Sequence, residues 1–285
     1  MIAITAATGQ FGQLAVEQLL EKVPATQVVA VVRDPAKASA LAARGVAVRT
    51  ASYDDPAALQ AAFAGVEKVL LISGTDFGRR AQQHANVIDA ARRAGARLIV
   101  YTSLLRADTT PLNLGPEHAA TEATLKTSSV PFVILRNGWY HENYTASVPA
   151  ALAHNAFVGS AGHGRIASAA RADYAAAAVV ALTDGAKVGS TYELAGDAAY
   201  TLVEFAAELS RQTGKPIPYV DLPEAEYAGI LLKAGLPPPL AQGLASWDVG
   251  AAQGALLDEG RALSRLIGRP TTPIADAIAR ALHAH

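Results

Sequence analysis

Apolar and polar positions switch between two periods along the first half of the chain. Ile2-Ala3-Ile4 is a short apolar run of β type. After a small-residue turn, Leu14, Ala15, Val16, Leu19 and Leu20 recur at helical spacing. Pro24-Ala25-Thr26 then turns the chain into residues 27–32, a near-continuous valine run that reads as a parallel strand buried on both faces. Asp34-Pro35-Ala36-Lys37-Ala38 opens the next helix, with Asp as N-cap and Pro in the first turn. A short third strand is expected over 46–51, followed by a helix over 57–63 capped by Asp54-Asp55-Pro56. Further strands are expected over 65–73, 97–103 and 130–136, with helices over 82–94 and from Pro116 onward between them.

Four βα units in succession predict an α/β fold: a doubly wound parallel sheet with right-handed crossovers and helices on both faces. The second half is less regular. Gly162-His163-Gly164-Arg165-Ile166-Ala167-Ser168 reads as a turn into a strand, and Arg171 opens an alanine-rich helix. Thr191-Tyr192-Glu193-Leu194-Ala195-Gly196 reads as a late strand, and Thr201 caps a helix through Ser210. From Pro216 the pattern is helical, broken at Pro237-Pro238-Pro239 and Gly268-Arg269-Pro270. We therefore expect a dinucleotide-binding domain over 1–150, to which parts of 165–200 fold back. A smaller, mostly helical lobe over 151–285 would lie on the substrate side.

Candidate chemistry begins in the first turn, Ala6-Ala7-Thr8-Gly9-Gln10-Phe11-Gly12. Strand, glycine turn and helix form the first unit of a dinucleotide-binding fold of Rossmann type. The helix N-terminus offers free N–H groups and a positive dipole end to a pyrophosphate, and the glycines allow close approach. A G-x-x-G-x-x-G pattern would place its first glycine where this chain has Ala6. If that position is left-handed, the methyl costs roughly 1–2 kcal/mol. With a negative φ, only the approach to the phosphate is crowded. Both remain open from the sequence.

The end of the second strand faces the adenosine ribose in such folds. An arginine there accommodates a 2′-phosphate, so Arg33, with Lys37 one turn on, favours NADPH over NADH. Alternatively both are ordinary solvated charges. Ser73-Gly74-Thr75 ends the fourth strand, where ligands collect in open parallel sheets, although a plain loop has the same composition. After the sixth strand come Asn137-Gly138-Trp139-Tyr140-His141-Glu142-Asn143-Tyr144, apolar enough to stack on a flat ring and polar enough to orient it. The bland alternative is an aromatic plug between two lobes. Asn86 reads as a local hydrogen-bonder within its helix.

Composition narrows the chemistry by subtraction. With 285 residues, 51% hydrophobic and 17% charged, the chain is a folded globular protein. A formal net charge of −1 gives no reason to propose nucleic acid or an anionic membrane as partner. Zero cysteines exclude a thiol nucleophile, a disulfide framework and a thiolate metal site, and fit a reducing cytoplasm. The chain opens on a core strand, without a basic leader or an uninterrupted apolar span of membrane length, so a cytoplasmic protein is expected. No metal-ligand spacing appears, and His283 and His285 sit at a tail expected to fray. G-x-S-x-G and G-x-x-x-x-G-K-[ST] are also missing, which removes support for a hydrolase nucleophile or nucleoside triphosphate hydrolysis.

A short-chain dehydrogenase places a Tyr four residues before a Lys in the helix after the fifth strand. Here His118 and Glu122 hold that spacing. Without the tyrosine acid, the better hydride acceptor is one whose reduced form is a stabilised anion, such as a quinone. His118 could supply a proton near neutral pH, or be a helix-surface residue. Tyr140 is a second weak catalytic candidate.

The opening Ile4-Thr5-Ala6-Ala7-Thr8-Gly9-Gln10-Phe11-Gly12 resembles the NmrA-like atypical short-chain dehydrogenases. So do Val31-Val32-Arg33-Asp34-Pro35-Ala36-Lys37, Leu70-Leu71-Ile72-Ser73, Tyr101-Thr102-Ser103 and Leu135-Arg136-Asn137-Gly138-Trp139-Tyr140. The resemblance runs over essentially the whole chain, through Ile166–Tyr174 and Leu266-Ile267-Gly268, and is strongest to its bacterial quinone and triphenylmethane dye reductases. It implies an NADPH-binding α/β domain, a small C-terminal lobe and a substrate between them, with NADH the weaker cofactor. By motif position the phosphate turn is Ala6 to Gly12, and the 2′-phosphate meets Arg33. The nicotinamide side involves Ser73, Gly74, Thr75, Asn137, Gly138, Trp139, Tyr140, Glu142 and Asn143, with Arg171 as a further contact. The family usually has glycine where this chain has Ala6. A quinone-like acceptor and a monomer or homodimer are expected. The alternatives are a non-catalytic redox sensor, as NmrA is, or a reductase of dyes and other conjugated acceptors.

Overall fold

Strand and helix alternate from the start of the chain through β1 (Ile2–Ile4), α1 (Gln10–Leu20), β2 (Val28–Val32) and α2 (Ser39–Ala43). They continue through β3 (Ala47–Thr50), α3 (Pro56–Ala62), β4 (Lys68–Leu71), α4 (Arg80–Arg93), β5 (Leu98–Leu104), α5 (Gly115–Thr127) and β6 (Phe132–Asn137). Two short helices, α6 (His141–Thr145) and α7 (Val148–His154), lead to β7 (Phe157–Gly159), and then α8 (Arg171–Leu182) and β8 (Thr191–Leu194) follow. The remainder is α9 (Leu202–Thr213), β9 (Tyr219–Asp221), α10 (Glu224–Lys233), α11 (Pro238–Ala252), α12 (Ala262–Ile267) and α13 (Ile274–His283). This computed structural model describes residues 1–183 and 185–283, so His285 lies outside the described residues.

Seven strands form one sheet in the order β3-β2-β1-β4-β5-β6-β8, all parallel. The order reverses between β1 and β4, so the switch point lies at the carboxyl ends of those two strands. Ile4 pairs with Ala30 on one side and Leu70 on the other, which brings the turns after all three strands to one edge. Those turns carry Ala6, Arg33 and Ser73.

Valines alternate across the sheet as the strand period requires. Val28, Ala30 and Val32 point into the core beneath α1 and α8, and Val29 and Val31 into the core beneath α3 and α4. Each such valine or leucine, fully buried, contributes roughly 1.5–3 kcal/mol. Local signals set the helix starts. Asp34 accepts from the Ala36 N–H (3.0 Å) and Asp55 from the Ala58 N–H (2.9 Å). Thr201 and Glu204 form a reciprocal capping box at α9.

A third core, with Trp139, Tyr144, Phe157, Phe205 and Trp247 among its members, is built mainly from the chain after β6. Two expectations are corrected there. Residues 162–168 are a turn and extended chain joined to Tyr200 by a single antiparallel bridge at Ile166, not a strand. Within this segment the Gly164 backbone packs against the carbonyl of Ala251, where a side chain would overlap. After Pro216 the chain is not helical throughout. Tyr219–Asp221 pairs with β7 as a separate two-stranded parallel sheet. Among the described residues, no helix is long and apolar enough to cross a membrane.

Candidate functional site

The phosphate turn is open at its helix end. Gly9, extended at φ −74°, is the N-cap of α1 and has no side-chain cap. The N–H groups of Gln10, Phe11 and Gly12 precede the Gln13 N–H, which donates to the Gly9 carbonyl at 2.9 Å. Three donors and the positive dipole end therefore face the sheet edge. Ala6 is left-handed, with φ +47°, and its carbonyl accepts from the Gly9 N–H at 2.9 Å. A Cβ at position 12 would overlap the Ala6 carbonyl and the Ala7 backbone, so the helix packs this closely because Gly12 has none. Thr8 is half-buried, and its carbonyl accepts from Gln13 Nε2 at 3.2 Å.

Arg33 and Lys37 are both exposed, one directly after β2 and the other in the short 3-10 turn Pro35–Ala38. Beside them Tyr53 supports the switch point. Its hydroxyl lies 2.5 Å from Thr5 Oγ1 and 2.8 Å from the Ile72 carbonyl, tying the ends of β1 and β4 together. Asn86 donates through Nδ2 to the Tyr53 carbonyl at 2.9 Å.

On the other side of the switch point, the Ser73 N–H donates to Thr102 Oγ1 and the Gly74 N–H to His84 Nε2, both at 2.9 Å. Thr75 is exposed. Asn137 closes β6 opposite Leu104. It is 3% exposed, and neither Nδ2 nor Oδ1 has a partner in good hydrogen-bond geometry, the Tyr140 hydroxyl being the side-chain group that approaches the amide. An unpaired buried amide costs about 1–3 kcal/mol, which a bound polar group would recover. Gly138 leaves no room for a side chain, since a Cβ would lie 3.0 Å from both the Leu194 carbonyl and the Tyr174 hydroxyl.

Tyr140 links the two ends of the site. Its ring centroid is 6.3 Å from Phe11 in the phosphate turn and 5.3 Å from Tyr174. The Arg171 guanidinium carbon sits 4.8 Å from the Tyr140 ring centre. The Glu142 carboxylate accepts from the Arg171 N–H at 3.0 and 3.1 Å, closing the start of α8. The half-buried Asn143 donates its backbone N–H to the Tyr140 carbonyl at 3.0 Å. Burial raises the Tyr140 phenol, which keeps it protonated at neutral pH. The turn Ala6–Gly12, Asn137–Asn143 and Arg171 thus meet along one edge, while Arg33 and Lys37 stand at its far end.

His118 stands apart from that edge. It is 5% exposed, with Nδ1 2.8 Å from the Tyr101 hydroxyl. Burial, reinforced by the Arg80 charge, depresses its pKa to about 3. The surface alternative is therefore corrected, and so is the expectation of a proton carried near neutral pH, because desolvation keeps the imidazole neutral. Glu122 is equally occupied. It accepts from Ser103 Oγ at 2.7 Å and from Arg136 Nε and Nη2 at 2.8 Å. Arg136 Nη1 in turn donates to Glu193 at 2.7 Å and Asp108 at 3.0 Å. The positions that carry Tyr and Lys in a short-chain dehydrogenase hold a core imidazole and half of a buried ion pair.

Sequence reasoning did not find Tyr53, Phe77 or Trp247. Phe77 had a weak signal, as the lone aromatic in the loop after β4. Trp247 had none, because its neighbours come from distant parts of the chain. Among the described residues, no group of three or more His, Cys, Asp or Glu is placed to hold a metal ion.

These features can be set beside known proteins. The model of a family described as NAD(P)H-binding matches residues 6–185. Quinone oxidoreductase 2 of Escherichia coli (strain K12) is 56% identical over 278 residues, covering 98% of this chain and 97% of that protein. The crystal structure of the E. coli NADPH-dependent quinone oxidoreductase complexed with NADPH has a TM-score of 0.96 at 55% identity, covering 99% of this chain and all of that one. Triphenylmethane reductase of Citrobacter sp., complexed with NADP(H), has a TM-score of 0.95 at 37% identity, with the same coverage. The residues present fit the cofactor: a helix start with free donors, a cation after β2 and an unpaired amide beside aromatic rings. This chain belongs to the NAD(P)H-binding family of NmrA-like reductases with a doubly wound parallel sheet.

Proposed function

We propose that this protein is an NADPH-dependent quinone reductase. The observation that carries the reading is the carboxyl edge of the sheet, where the open start of α1 and the unpaired Asn137 amide are joined through Phe11 and Tyr140. The near full-length similarity to an NADPH-dependent quinone oxidoreductase supports the choice of cofactor and acceptor.

When bound, the reduced nicotinamide supplies a hydride to the quinone, which becomes hydroquinone on taking up one further proton. The chain's own part is to bind and orient. Gln10, Phe11 and Gly12 would offer backbone N–H groups to the pyrophosphate, and Arg33 with Lys37 would neutralise the 2′-phosphate. Asn137 offers both an amide donor and an acceptor at a dry position, which fixes the face of a ring carrying a carboxamide. Trp139, packed on Trp247, and Tyr140, against Phe11 and the Arg171 guanidinium, form the apolar wall behind the acceptor. No acid on the chain is needed, because the hydroquinone oxyanion is delocalised and takes its proton from water. His118, neutral and hydrogen-bonded in the core, supplies none. Catalysis is then mainly the positioning of two planar systems in contact.

A cytoplasmic setting goes with this reading, since reduced nicotinamide is regenerated there. Steady-state oxidation of NADPH by the purified protein with 1,4-benzoquinone tests it. Quinone-dependent oxidation is expected, and tight NADPH binding without turnover would replace the enzyme with a sensor.

A further inference from the structure

Three aromatic rings from three separate elements converge beside the carboxyl ends of β4 and β6. Phe77 is on the loop after β4, Trp139 directly follows β6, and Trp247 is on α11 of the C-terminal lobe. Ring centroids are 6.2 Å apart for Phe77 and Trp247, inclined at 45°, and 5.6 Å apart for Trp139 and Trp247, inclined at 72°. The central ring, Trp247, and the outer ring, Phe77, differ in how they are held. Trp247 is 9% exposed, and its Nε1–H donates to Asn113 Oδ1 at 2.8 Å. One turn earlier, Gly243 leaves space for it, since a Cβ there would lie 3.0 Å from Trp247 Cζ2.

Phe77 is 50% exposed. Its loop is tied on both sides of it: the Gly74 carbonyl accepts from Arg80 Nε at 2.7 Å, and the Gly78 N–H donates to Glu117 Oε1 at 3.0 Å. The ring faces the Trp247 ring and the Arg80 guanidinium, whose carbon is 5.2 Å from the ring centre. Gly78, at φ +80°, takes a left-handed turn directly after Phe77 that glycine adopts without strain. Phe77 is the one aromatic side chain in the exposed class among the described residues, and a half-exposed ring forfeits burial that the others obtain.

We propose that Phe77 and Trp247 are the two faces of an aromatic clamp that takes the flat ring of the acceptor, Phe77 being the face that moves. The inference rests on the reading of the protein as a quinone reductase and adds which residues choose the quinone. A ring held between two aromatic faces needs about 7 Å between them, twice the optimal carbon–carbon separation. The present 6.2 Å at 45° is too close, so one ring must swing. Trp247 is locked by Asn113 and Trp139, which leaves Phe77. Because both faces are apolar, gain grows with overlapped ring area. The clamp therefore selects fused two-ring quinones over single-ring ones.

The chain has two tryptophans, and both belong to this cluster, so intrinsic tryptophan emission reports on it without turnover. The test is titration of cofactor-free protein with 1,4-naphthoquinone and 1,4-benzoquinone, in the wild type and in Phe77→Ala and Phe77→Tyr. Saturable quenching is expected in the wild type. Its midpoint for naphthoquinone should rise roughly 3- to 10-fold in Phe77→Ala and return to within about twofold of wild type in Phe77→Tyr. Benzoquinone should shift less. In turnover the naphthoquinone KM should follow the midpoint, while kcat and the NADPH Kd stay within about twofold. Linear, non-saturating quenching, or midpoints identical in wild type and Phe77→Ala, would overturn the clamp even if quinone turnover is intact. A wild type that saturates with quinone but does not oxidise NADPH would instead overturn the enzymatic reading, leaving the clamp to stand on the midpoints.

Discussion

The carbonyl oxygen of Ala6 lies where a side chain at Gly12 would have to go. Ala6 holds that carbonyl in place through a left-handed backbone at φ +47°, a conformation in which its own methyl is strained. Ala6→Gly should therefore stabilise the protein by up to about 1 kcal/mol, with NADPH bound equally well or more tightly. Gly12→Ala should act in the opposite sense, separating α1 from the turn. A loss of roughly 1–3 kcal/mol and at least a tenfold weaker NADPH Kd are expected. Thermal unfolding combined with a fluorescence titration reads both.

Arg33 has no ion-pair partner of its own among the described residues, and it stands exposed after β2. Reversing its charge should cost the contacts of one phosphate and little else. For Arg33→Glu, kcat/KM with NADPH should fall about 10- to 100-fold while that with NADH changes by less than about threefold. Equal losses with both cofactors would remove the 2′-phosphate from this position.

The Asn137 amide is buried with no partner in good geometry, the Tyr140 hydroxyl being the side-chain group that approaches it, so the fold bears part of its desolvation. Asn137→Leu, similar in size and apolar, should raise unfolding stability by about 1 kcal/mol and weaken NADPH or quinone binding at least tenfold. A variant that is less stable and binds normally would make Asn137 a structural residue.

The pH dependence of stability separates core histidines from catalytic ones. Burial, with the Arg80 charge adding to it, holds both His84 and His118 at a pKa of about 3, against 6.5 for an unperturbed histidine. Between those values the unfolded chain takes up protons that the folded chain refuses. Stability should be flat above pH 6.5 with respect to these groups and fall as pH drops toward 3, by about 1.4 kcal/mol per pH unit for each. His118→Gln should lower that slope by one histidine's share in urea titrations at several pH values. Quinone turnover by the same variant should stay within about threefold of wild type. A much larger loss, with the fold intact, would return His118 to the reaction.

Most of the main sheet was legible in the sequence, and the reason is local. A valine run such as Val28–Val32 carries its own strand period, and Asp55-Pro56 and Thr201 with Glu204 carry their own helix starts. Each of these signals is completed by atoms a few residues away. The chain after β6 was less legible because its order is long-range. Tyr219–Asp221 becomes a strand by pairing with Phe157–Gly159, whereas residues 162–168 form no strand because their one bridge, between Ile166 and Tyr200, does not extend into a ladder.

The same division applies to the site. By itself the sequence determined that a glycine turn opens a helix after the first strand, that a cation follows the second, and that an aromatic and amide segment follows the sixth. Residue type and spacing are sufficient for each. Only the tertiary structure decided that Ala6 is left-handed, that His118 is neutral in the core, that Asn137 lacks a partner and that Phe77 faces Trp247. Backbone sign, desolvation and ring contact depend on which distant segments pack together, and that arrangement has no counterpart in any single stretch of the chain.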